Sequence, residues 1–172
     1  MSRLLLLRHA KSDWGTSTLT DFDRPLAPRG KRAAADVAKA IADDGMLPDR
    51  ILCSPARRTR ETLAALEPYL DDGDRVEFVD SLYESTPGEY LRVIAAKGDA
   101  AGTLMVIGHN PATHGAALAL SGTGEPGLLS EIATKYPTGA LAVIDFEGTG
   151  WAAISPGEGH LKAFVQPREL ER

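Results

Sequence analysis

Two histidines follow the two most apolar segments of the chain. Residues 4–7 read LLLL and lead directly into Arg8 and His9, and residues 103–109, TLMVIGH, end at His109. Imidazole is the side chain best suited to chemistry near neutral pH, and arginine is suited to binding anions. Each histidine alone could simply end a strand. Two histidines at matching positions, with Arg8 directly before the first of them, favour a functional site.

A second group of basic side chains lies in SPARRTRE, residues 54–61, at the start of a predicted helix. Cations there oppose the positive end of the helix dipole, so the three arginines 57, 58 and 60 indicate an external anion. A helix N-terminus with arginines beside it is suited to phosphate. We interpret Arg57 and Arg60 as solvated surface charges, helped by Glu61. One of the three arginines is expected to contact the anion.

A carboxylate, Glu84, follows the third predicted strand in DSLYESTPGEY, residues 80–90. It is expected on the same rim as the two histidines, where a glutamate near a phosphate site could act as a general acid. An ordinary solvated loop glutamate is equally compatible with this position. The remaining histidines are interpreted as surface residues, because His114 is off the helical face of His109 and His160 lies in a Gly-rich turn.

Strands and helices alternate along the chain. Apolar and β-branched runs predict strands at residues 3–9, 50–54, 75–80 and 103–109. Cap and stop residues predict helices at residues 28–45, 54–70, 86–98 and 111–122. In the second helix, Ser54 is expected as the N-cap and Pro55 as the first helical residue. The tail, residues 139–167, predicts strands joined by Gly-rich turns.

This alternation predicts an α/β fold with a mainly parallel central sheet and helices on both faces. The tail is expected to add antiparallel strands at one edge, near the C-terminus. The length of 172 residues indicates that residues 1–172 form a single domain. Ligands of such sheets bind beyond the carboxyl ends of the strands, where His9 and His109 stand. If their strands are neighbours, about 4.8 Å apart, the two histidines face one another.

Composition and missing motifs exclude several classes of protein. A net charge of −5 argues against a general nucleic-acid binder, and the leucine run is too short to span a membrane. The chain has a single cysteine, Cys53, so neither an internal disulfide nor a zinc site made of cysteines can form. This use of cysteine is compatible with a reducing cytoplasm. Cys53 itself is expected to be a buried small hydrophobe. No HExxH, GxxxxGK[ST] or GxSxG motif is present, which leaves metal, NTPase and α/β-hydrolase sites unsupported. Residues 122–127, GTGEPG, follow a helix rather than a strand and are interpreted as a plain loop.

Three segments resemble the motifs of the histidine phosphatase superfamily, also called phosphoglycerate-mutase-like. RHA, residues 8–10, resembles the R-H-G signature, with Ala10 in place of glycine. SPARRTRET, residues 54–62, resembles S-x-x-x-R-x-x-x-T, which implies that Arg58 is the family's second arginine and Thr62 its threonine. VIGHNP, residues 106–111, resembles the late GH motif and implies that His109 is the second histidine.

A fourth segment, DRPLAPRGKRAA, residues 23–34, resembles the D-R-P-L-x-x-x-G segment of the SixA-type phosphohistidine phosphatases. Mutases and sugar bisphosphatases of the superfamily carry insertions that cap the site. Here residues 81–102 alone separate the third and fourth strands, so no cap insertion is expected. The mutase branch reads R-H-G-x-S-x-W-N, and Gly15 stands where its asparagine would be. An open site of this kind suits a phosphorylated protein side chain.

The resemblance implies a metal-independent phosphatase without a cofactor, which hydrolyses phosphohistidine on a protein through a covalent phospho-His9 intermediate. It implies that Arg8, Arg58 and His109 hydrogen-bond the phosphoryl oxygens, and Glu84 is the candidate proton donor. Phosphate and a phosphorylated protein are the expected partners, without nucleic acid or membrane. Two alternatives remain: a phosphatase for small phosphomonoesters, and a phosphate- or phosphoprotein-binding module without turnover.

Overall fold

The computed structural model describes residues 1–14, 18–71 and 75–171. These residues form one seven-stranded sheet in the order β3-β2-β4-β1-β6-β7-β5. The strands are β1 (Ser2–Arg8), β2 (Arg50–Cys53), β3 (Val76–Phe78), β4 (Thr103–Gly108), β5 (Ser121–Gly124), β6 (Leu141–Phe146) and β7 (Gly159–Val165). The α-helices of the described residues are α1 (Pro28–Asp43), α2 (Arg57–Ala64), α3 (Pro87–Lys97), α4 (Ala112–Leu120) and α5 (Leu128–Thr134).

The sheet is mainly parallel, as the sequence predicts. Strand β4 lies between β1 and β2 and is parallel to both, and β3 extends the parallel part beyond β2. Strand β6 is antiparallel to its two neighbours, β1 and β7. The predicted antiparallel strand pairing near the C-terminus is therefore confirmed, and it places the tail on the side of β1 away from β4.

The leucine run is explained by burial on both faces of the sheet, because successive side chains of a strand point to opposite faces. Leu4 and Leu6 pack in the hydrophobic cluster that contains residues of α3, α4 and α5. Leu5 and Leu7 pack in the opposite cluster, with residues of α1 and α2. A strand covered by helices on both sides reads as a continuous apolar run, and its rigid anchoring fixes the residues that follow it.

Two local predictions are wrong. Helix α2 begins at Arg57 rather than at Pro55, and its N-cap is Ala56. Ser54 lies three residues before Arg57, and its hydroxyl contacts the His109 ring at 2.8 Å and the backbone N–H of Ala56 at 3.3 Å. The segment predicted as a plain loop contains β5, which pairs in parallel with β7, and α5 follows it after Gly127 in the left-handed region.

Other helix boundaries agree with the predicted signals. The Thr86 side chain accepts a hydrogen bond from the backbone of Glu89, and Pro87 opens α3. Gly45, with φ 69°, follows the end of α1. Cys53 is fully buried in β2, as expected of a small hydrophobe.

The connection from β3 to β4 leaves the carboxyl edge of the sheet open. Asp80–Leu82 form a 3₁₀ turn, and α3 is the α-helix that precedes β4. Within the described ranges this connection holds no additional element that would cap the edge, as the sequence predicts. No helix of the part of the chain that the structure describes is long and apolar enough to span a membrane.

Candidate active site

His9 and His109 lie side by side at the carboxyl edge of the sheet. Arg8 of β1 pairs with Gly108 of β4, so the next residue of each strand leaves the sheet at the same level. The centroids of the two imidazole rings are 5.3 Å apart, and each residue is less than a tenth exposed. The predicted adjacency of the two histidines is therefore present.

The orientation of the His9 ring leaves one nitrogen available for chemistry. Nδ1 lies 2.7 Å from the backbone carbonyl of Ala10. A carbonyl only accepts hydrogen bonds, so neutral His9 carries its proton on Nδ1 and a lone pair on Nε2. Burial, together with the positive charges of Arg58 and Arg8 and against the hydrogen bond to Ala10, lowers the pKa of His9 to about 4. His9 is therefore neutral at physiological pH.

His109 is held through one ring nitrogen, and its other ring nitrogen has no hydrogen-bond partner among the described residues. Its Nε2 lies 2.8 Å from the Ser54 hydroxyl, which also accepts a hydrogen bond from the backbone of Ala56. When the Ser54 hydroxyl donates to Nε2, the proton of neutral His109 is on Nδ1. Nδ1 is buried and has no hydrogen-bond partner among the described residues. Burial, followed by the charge of Arg58, lowers the pKa of His109 to about 3.

Arg58 is the arginine of α2 that enters the site. Its guanidinium is buried and donates hydrogen bonds to the backbone carbonyl of Asp21 at 2.7 Å and to the Asp21 carboxylate at 3.1 Å. The Tyr83 hydroxyl donates to the same carboxylate at 2.6 Å. This hydrogen bond, together with the charge of Arg58 and the hydrogen bonds from Arg24 and Arg58, lowers the pKa of Asp21 to about 2. Asp21 therefore stays ionised and holds Arg58 in place.

The other two arginines of α2 lie outside the site. Arg57 pairs with Glu61 at 3.0 Å on the helix surface. The exposed Arg60 donates to the backbone carbonyl of Pro55. The helix thus separates one buried arginine from two surface arginines, in agreement with the interpretation made from the sequence.

Arg8 and Arg24 complete a cluster of positive charge around His9. Arg8 donates to the carbonyl of Tyr136 at 2.9 Å, and burial, with the charge of Arg58, lowers its pKa. Arg24 is buried, and its guanidinium lies 3.5 Å from the centroid of the exposed Trp14 ring. Its charge also lowers the pKa of His9.

Sequence reasoning did not assign Asp21, Arg24, Ser54 or Tyr83 to the site. For Arg24 a signal existed, because it belongs to the D-R-P-L segment. Tyr83 follows a short 3₁₀ turn, and its ring packs edge-on against the His109 ring. Its position depends on the tertiary fold rather than on a local motif.

Glu84 lies at the mouth of the site. It is exposed, has a positive φ of 51° and lines a cavity of about 170 Å³. Arg58, Tyr83 and His109 line the same cavity. The structure therefore brings Glu84 to the rim on which the histidines lie.

The motif residues between these groups join the site to the fold. The Thr62 hydroxyl accepts from the backbone of Ala10 at 3.0 Å and donates to the carbonyl of Arg58 at 2.8 Å. A Cβ on Gly30 would lie 2.0 Å from the backbone oxygen of Lys11, so α1 can approach the loop after His9 only with glycine at this position.

The two remaining histidines are less exposed than predicted. His114 is half-buried, and its Nε2 bonds to the carbonyl of Ile132. His160 lies within β7 rather than in a turn and contacts Glu125 through Nε2. Within the described ranges, no three His, Cys, Asp or Glu side chains are grouped to hold a metal ion. Gly15, which bears on the mutase comparison, lies outside the described residues.

Comparison with known proteins gives one consistent class, the histidine phosphatases. The model of the histidine phosphatase superfamily, branch 1, matches residues 4–97. An uncharacterized protein of Mycobacterium tuberculosis is 38% identical over 165 residues, which cover 94% of this chain and all of that protein. The chain belongs to the histidine phosphatase superfamily.

Two solved structures share the fold over nearly the whole chain. A candidate phosphohistidine phosphatase SixA from Agrobacterium tumefaciens is 32% identical to this chain and superposes on it with a TM-score of 0.81. The match covers 96% of this chain and 98% of the Agrobacterium chain. The protein histidine phosphatase SixA in complex with tungstate is 20% identical and has a TM-score of 0.78. This match covers 98% of this chain and 99% of the SixA chain. The second likeness is one of fold alone.

The two neutral histidines give a prediction for stability. In the unfolded chain both titrate near pH 6.5, whereas in the folded protein His9 stays neutral to about pH 4 and His109 to about pH 3. Below pH 6.5 the unfolded state therefore binds more protons, and stability present at pH 8 is lost as the pH falls. At pH 5 the expected loss is about 2 kcal/mol for each histidine.

Denaturant unfolding at pH 8 and pH 5 measures this loss. The double variant His9→Gln/His109→Gln should keep nearly the same free energy of unfolding at both pH values. If the wild type and the double variant lost stability equally between pH 8 and pH 5, the two histidines would not be the groups responsible.

Proposed function

We propose that this protein hydrolyses phosphohistidine on a protein through a covalent phosphohistidine intermediate on His9. The observation that carries the proposal is the state of His9, a buried neutral imidazole with Nδ1 held by a carbonyl and Nε2 left free. A pure phosphate-binding module would need the arginines but not this histidine. The proposed setting is the cytoplasm, in a signalling or carrier system.

In the proposed first step, Nε2 of His9 attacks phosphorus, an N–P bond forms, and the bond from phosphorus to the leaving group breaks. Arg8, Arg58 and the Nδ1–H of His109 bind the phosphoryl oxygens, on which charge is spread in the transition state. In the second step water attacks phosphorus, and the P–N bond to His9 breaks. Inorganic phosphate leaves, and neutral His9 is restored.

Two features support a protein substrate over a small phosphomonoester. The described residues between β3 and β4 form no cap over the site, so a phosphorylated side chain on a large surface has access. Two structural relatives that are 32% and 31% identical to this chain, from Agrobacterium tumefaciens and Nakamurella multipartitia, are described as candidate phosphohistidine phosphatases SixA. A small phosphomonoester remains the alternative substrate, since Glu84 lines the cavity of the site and could protonate an alcohol leaving group.

Parallel assays test this proposal. Release of phosphate should be measured from a histidine-phosphorylated protein, from free phosphohistidine and from a panel of alkyl and aryl phosphomonoesters. We expect the highest kcat/KM on the phosphoprotein. A preference for one small phosphomonoester would support a phosphatase for small substrates. If no substrate were turned over, a phosphate- or phosphoprotein-binding module would be the supported function.

Glu84→Gln should slow the hydrolysis of alkyl phosphates by about 100-fold or more, the usual scale of general acid catalysis. An alkoxide leaves poorly unless it is protonated. The imidazole of phosphohistidine can be protonated on its free ring nitrogen near neutral pH, so its hydrolysis should hardly change. Steady-state kinetics of this one variant on both substrate types make the comparison. Equal slowing on both would mean that Glu84 shapes the site and donates no proton.

Chelation should leave turnover unchanged, and vanadate should inhibit competitively. The arginine cluster already supplies the positive charge that a metal would bring to the phosphoryl oxygens, and vanadate resembles pentavalent phosphorus. Initial rates with and without EDTA, and with increasing vanadate, provide the measurement. Reproducible inactivation by EDTA that a divalent metal reverses would contradict the metal-independent mechanism.

A further inference from the structure

A groove with basic side chains lies beside the active site. It has a volume of about 230 Å³, and its lining includes Lys11, Arg29, Lys135, Gln166, Arg168 and Glu171. We call it the basic groove. None of these side chains takes part in the mechanism described above.

The basic groove and the active site are built on the same two segments of the chain. Lys11 follows His9 by two residues, and Lys135 immediately precedes Tyr136. The backbone carbonyl of Tyr136 accepts hydrogen bonds from Arg8 and from Asn110, each at 2.9 Å. The loop after β1 and the segment before β6 therefore carry residues of both the basic groove and the active site.

The charge of the groove contrasts with that of the chain as a whole, which is −5. Lys11, Lys135 and Arg168 are exposed, and none of them has a carboxylate within 4.0 Å among the residues that the structure describes. Arg29 differs, because Glu171 lies 4.0 Å from its guanidinium. Three cations without a counter-charge thus meet in one groove of an acidic protein.

Gln166 adds a polar group at the floor of the groove. Its side-chain nitrogen donates to Glu131 at 2.8 Å, and the residue is 1% exposed.

We propose that the basic groove binds an acidic segment of the substrate protein, with carboxylates on the surface beside the phosphorylated histidine. This inference rests on the proposed function. An acidic partner is repelled by the net charge of this chain, and a local basic groove converts that repulsion into attraction at the face where the site opens. The groove thereby selects among phosphoproteins by the charge around the phosphohistidine.

Two phosphohistidine peptides of the same length test the proposal, one with glutamates and one with serines around the histidine. For the wild type at low salt, we expect kcat/KM to be about tenfold higher for the glutamate peptide, the combined effect of a few exposed charge pairs. Added salt should remove the preference, because exposed charges are screened. Free phosphohistidine serves as the substrate that does not reach the groove.

The triple variant Lys11→Ala/Lys135→Ala/Arg168→Ala should lose the preference for the glutamate peptide and keep its rate on free phosphohistidine. Lys39→Ala/Arg92→Ala/Lys162→Ala is the matched control, because it removes the same charge from exposed positions on α1, α3 and β7. The control should retain the preference. The double variant Lys135→Ala/Arg168→Ala leaves the loop after His9 unchanged. It should lose most of the preference for the glutamate peptide.

Binding of the unphosphorylated glutamate peptide, followed by fluorescence anisotropy, separates the groove from the chemistry. If no phosphohistidine substrate is hydrolysed but the peptide binds through the three basic residues, the proposed function fails and the groove assignment stands. Equal loss of preference in the control and groove variants would overturn the proposal. So would an oligonucleotide of equal charge that binds as tightly through the same residues, which would indicate a site for any polyanion.

Discussion

His9→Ala should lower kcat by at least about four orders of magnitude on every substrate, the scale observed when a catalytic nucleophile is removed. His9 supplies the attacking Nε2, and no other residue in the described part of the site offers a free ring nitrogen with the same support. His109 cannot replace it, because its Nε2 contacts the Ser54 hydroxyl and its Nδ1 carries the proton of the neutral ring, which leaves no free lone pair. Phosphate release from a phosphohistidine peptide and from an aryl phosphate measures the loss.

His160→Ala is the matched control for this variant, because it removes an imidazole from β7. It should retain activity near that of the wild type. Circular dichroism and denaturant unfolding should show that His9→Ala is folded, and it should be at least as stable as the wild type at pH 5. A His9→Ala protein that turned over normally would exclude His9 as the nucleophile.

Arg58→Ala should cost about 3–4 kcal/mol of transition-state stabilisation, or about 100- to 1,000-fold in kcat/KM, as expected for a charged donor in a site shielded from water. Its guanidinium is buried, and Asp21 fixes its orientation through two hydrogen bonds. Arg58→Lys should rescue little, because an ammonium cannot bind the carboxylate and the phosphoryl oxygens in the same fork geometry. Steady-state kinetics on an aryl phosphate provide the comparison.

Arg57→Ala is the control one residue away on the same helix. Arg57 is on the surface and pairs with Glu61, so its loss should change kcat/KM less than threefold, in line with the small energy of exposed ion pairs. If the Arg57 and Arg58 variants lost activity to the same extent, the effect would come from the overall charge of α2. The assignment of Arg58 to the phosphate would then be wrong.

Much of the fold could be predicted because local signals agreed with the tertiary structure. The leucine run predicted a strand covered on both faces, and Leu4 and Leu5 do pack in opposite clusters. The facing of His9 and His109 also followed from the sequence, since parallel neighbours end at the same edge. Strand β5 could not be predicted, because SGTG has little strand propensity and depends on β7 as its partner.

The supporting residues of the site could not be predicted for a similar reason. Asp21 binds Arg58 across 37 residues, and Tyr83 reaches Asp21 across 62. Contacts this distant leave no periodicity in the sequence. Ser54 carried a local signal that was misleading, because a serine followed by proline before a helix is typical of an N-cap, and here the hydroxyl binds His109. Ser54 thus takes part in the site instead of acting as the N-cap of α2.

The central claim is that phosphate is transferred to His9, and rapid-quench trapping tests it most directly. Wild-type enzyme should be mixed with a phosphohistidine peptide or an aryl phosphate, quenched within milliseconds at alkaline pH, and digested for mass spectrometry and ³¹P NMR. Because the Ala10 carbonyl holds Nδ1 at 2.7 Å, the account predicts one phosphate per chain, on Nε2 of His9. Phosphate on Nδ1 of His9 or on His109, or turnover without any phosphoenzyme, would contradict it.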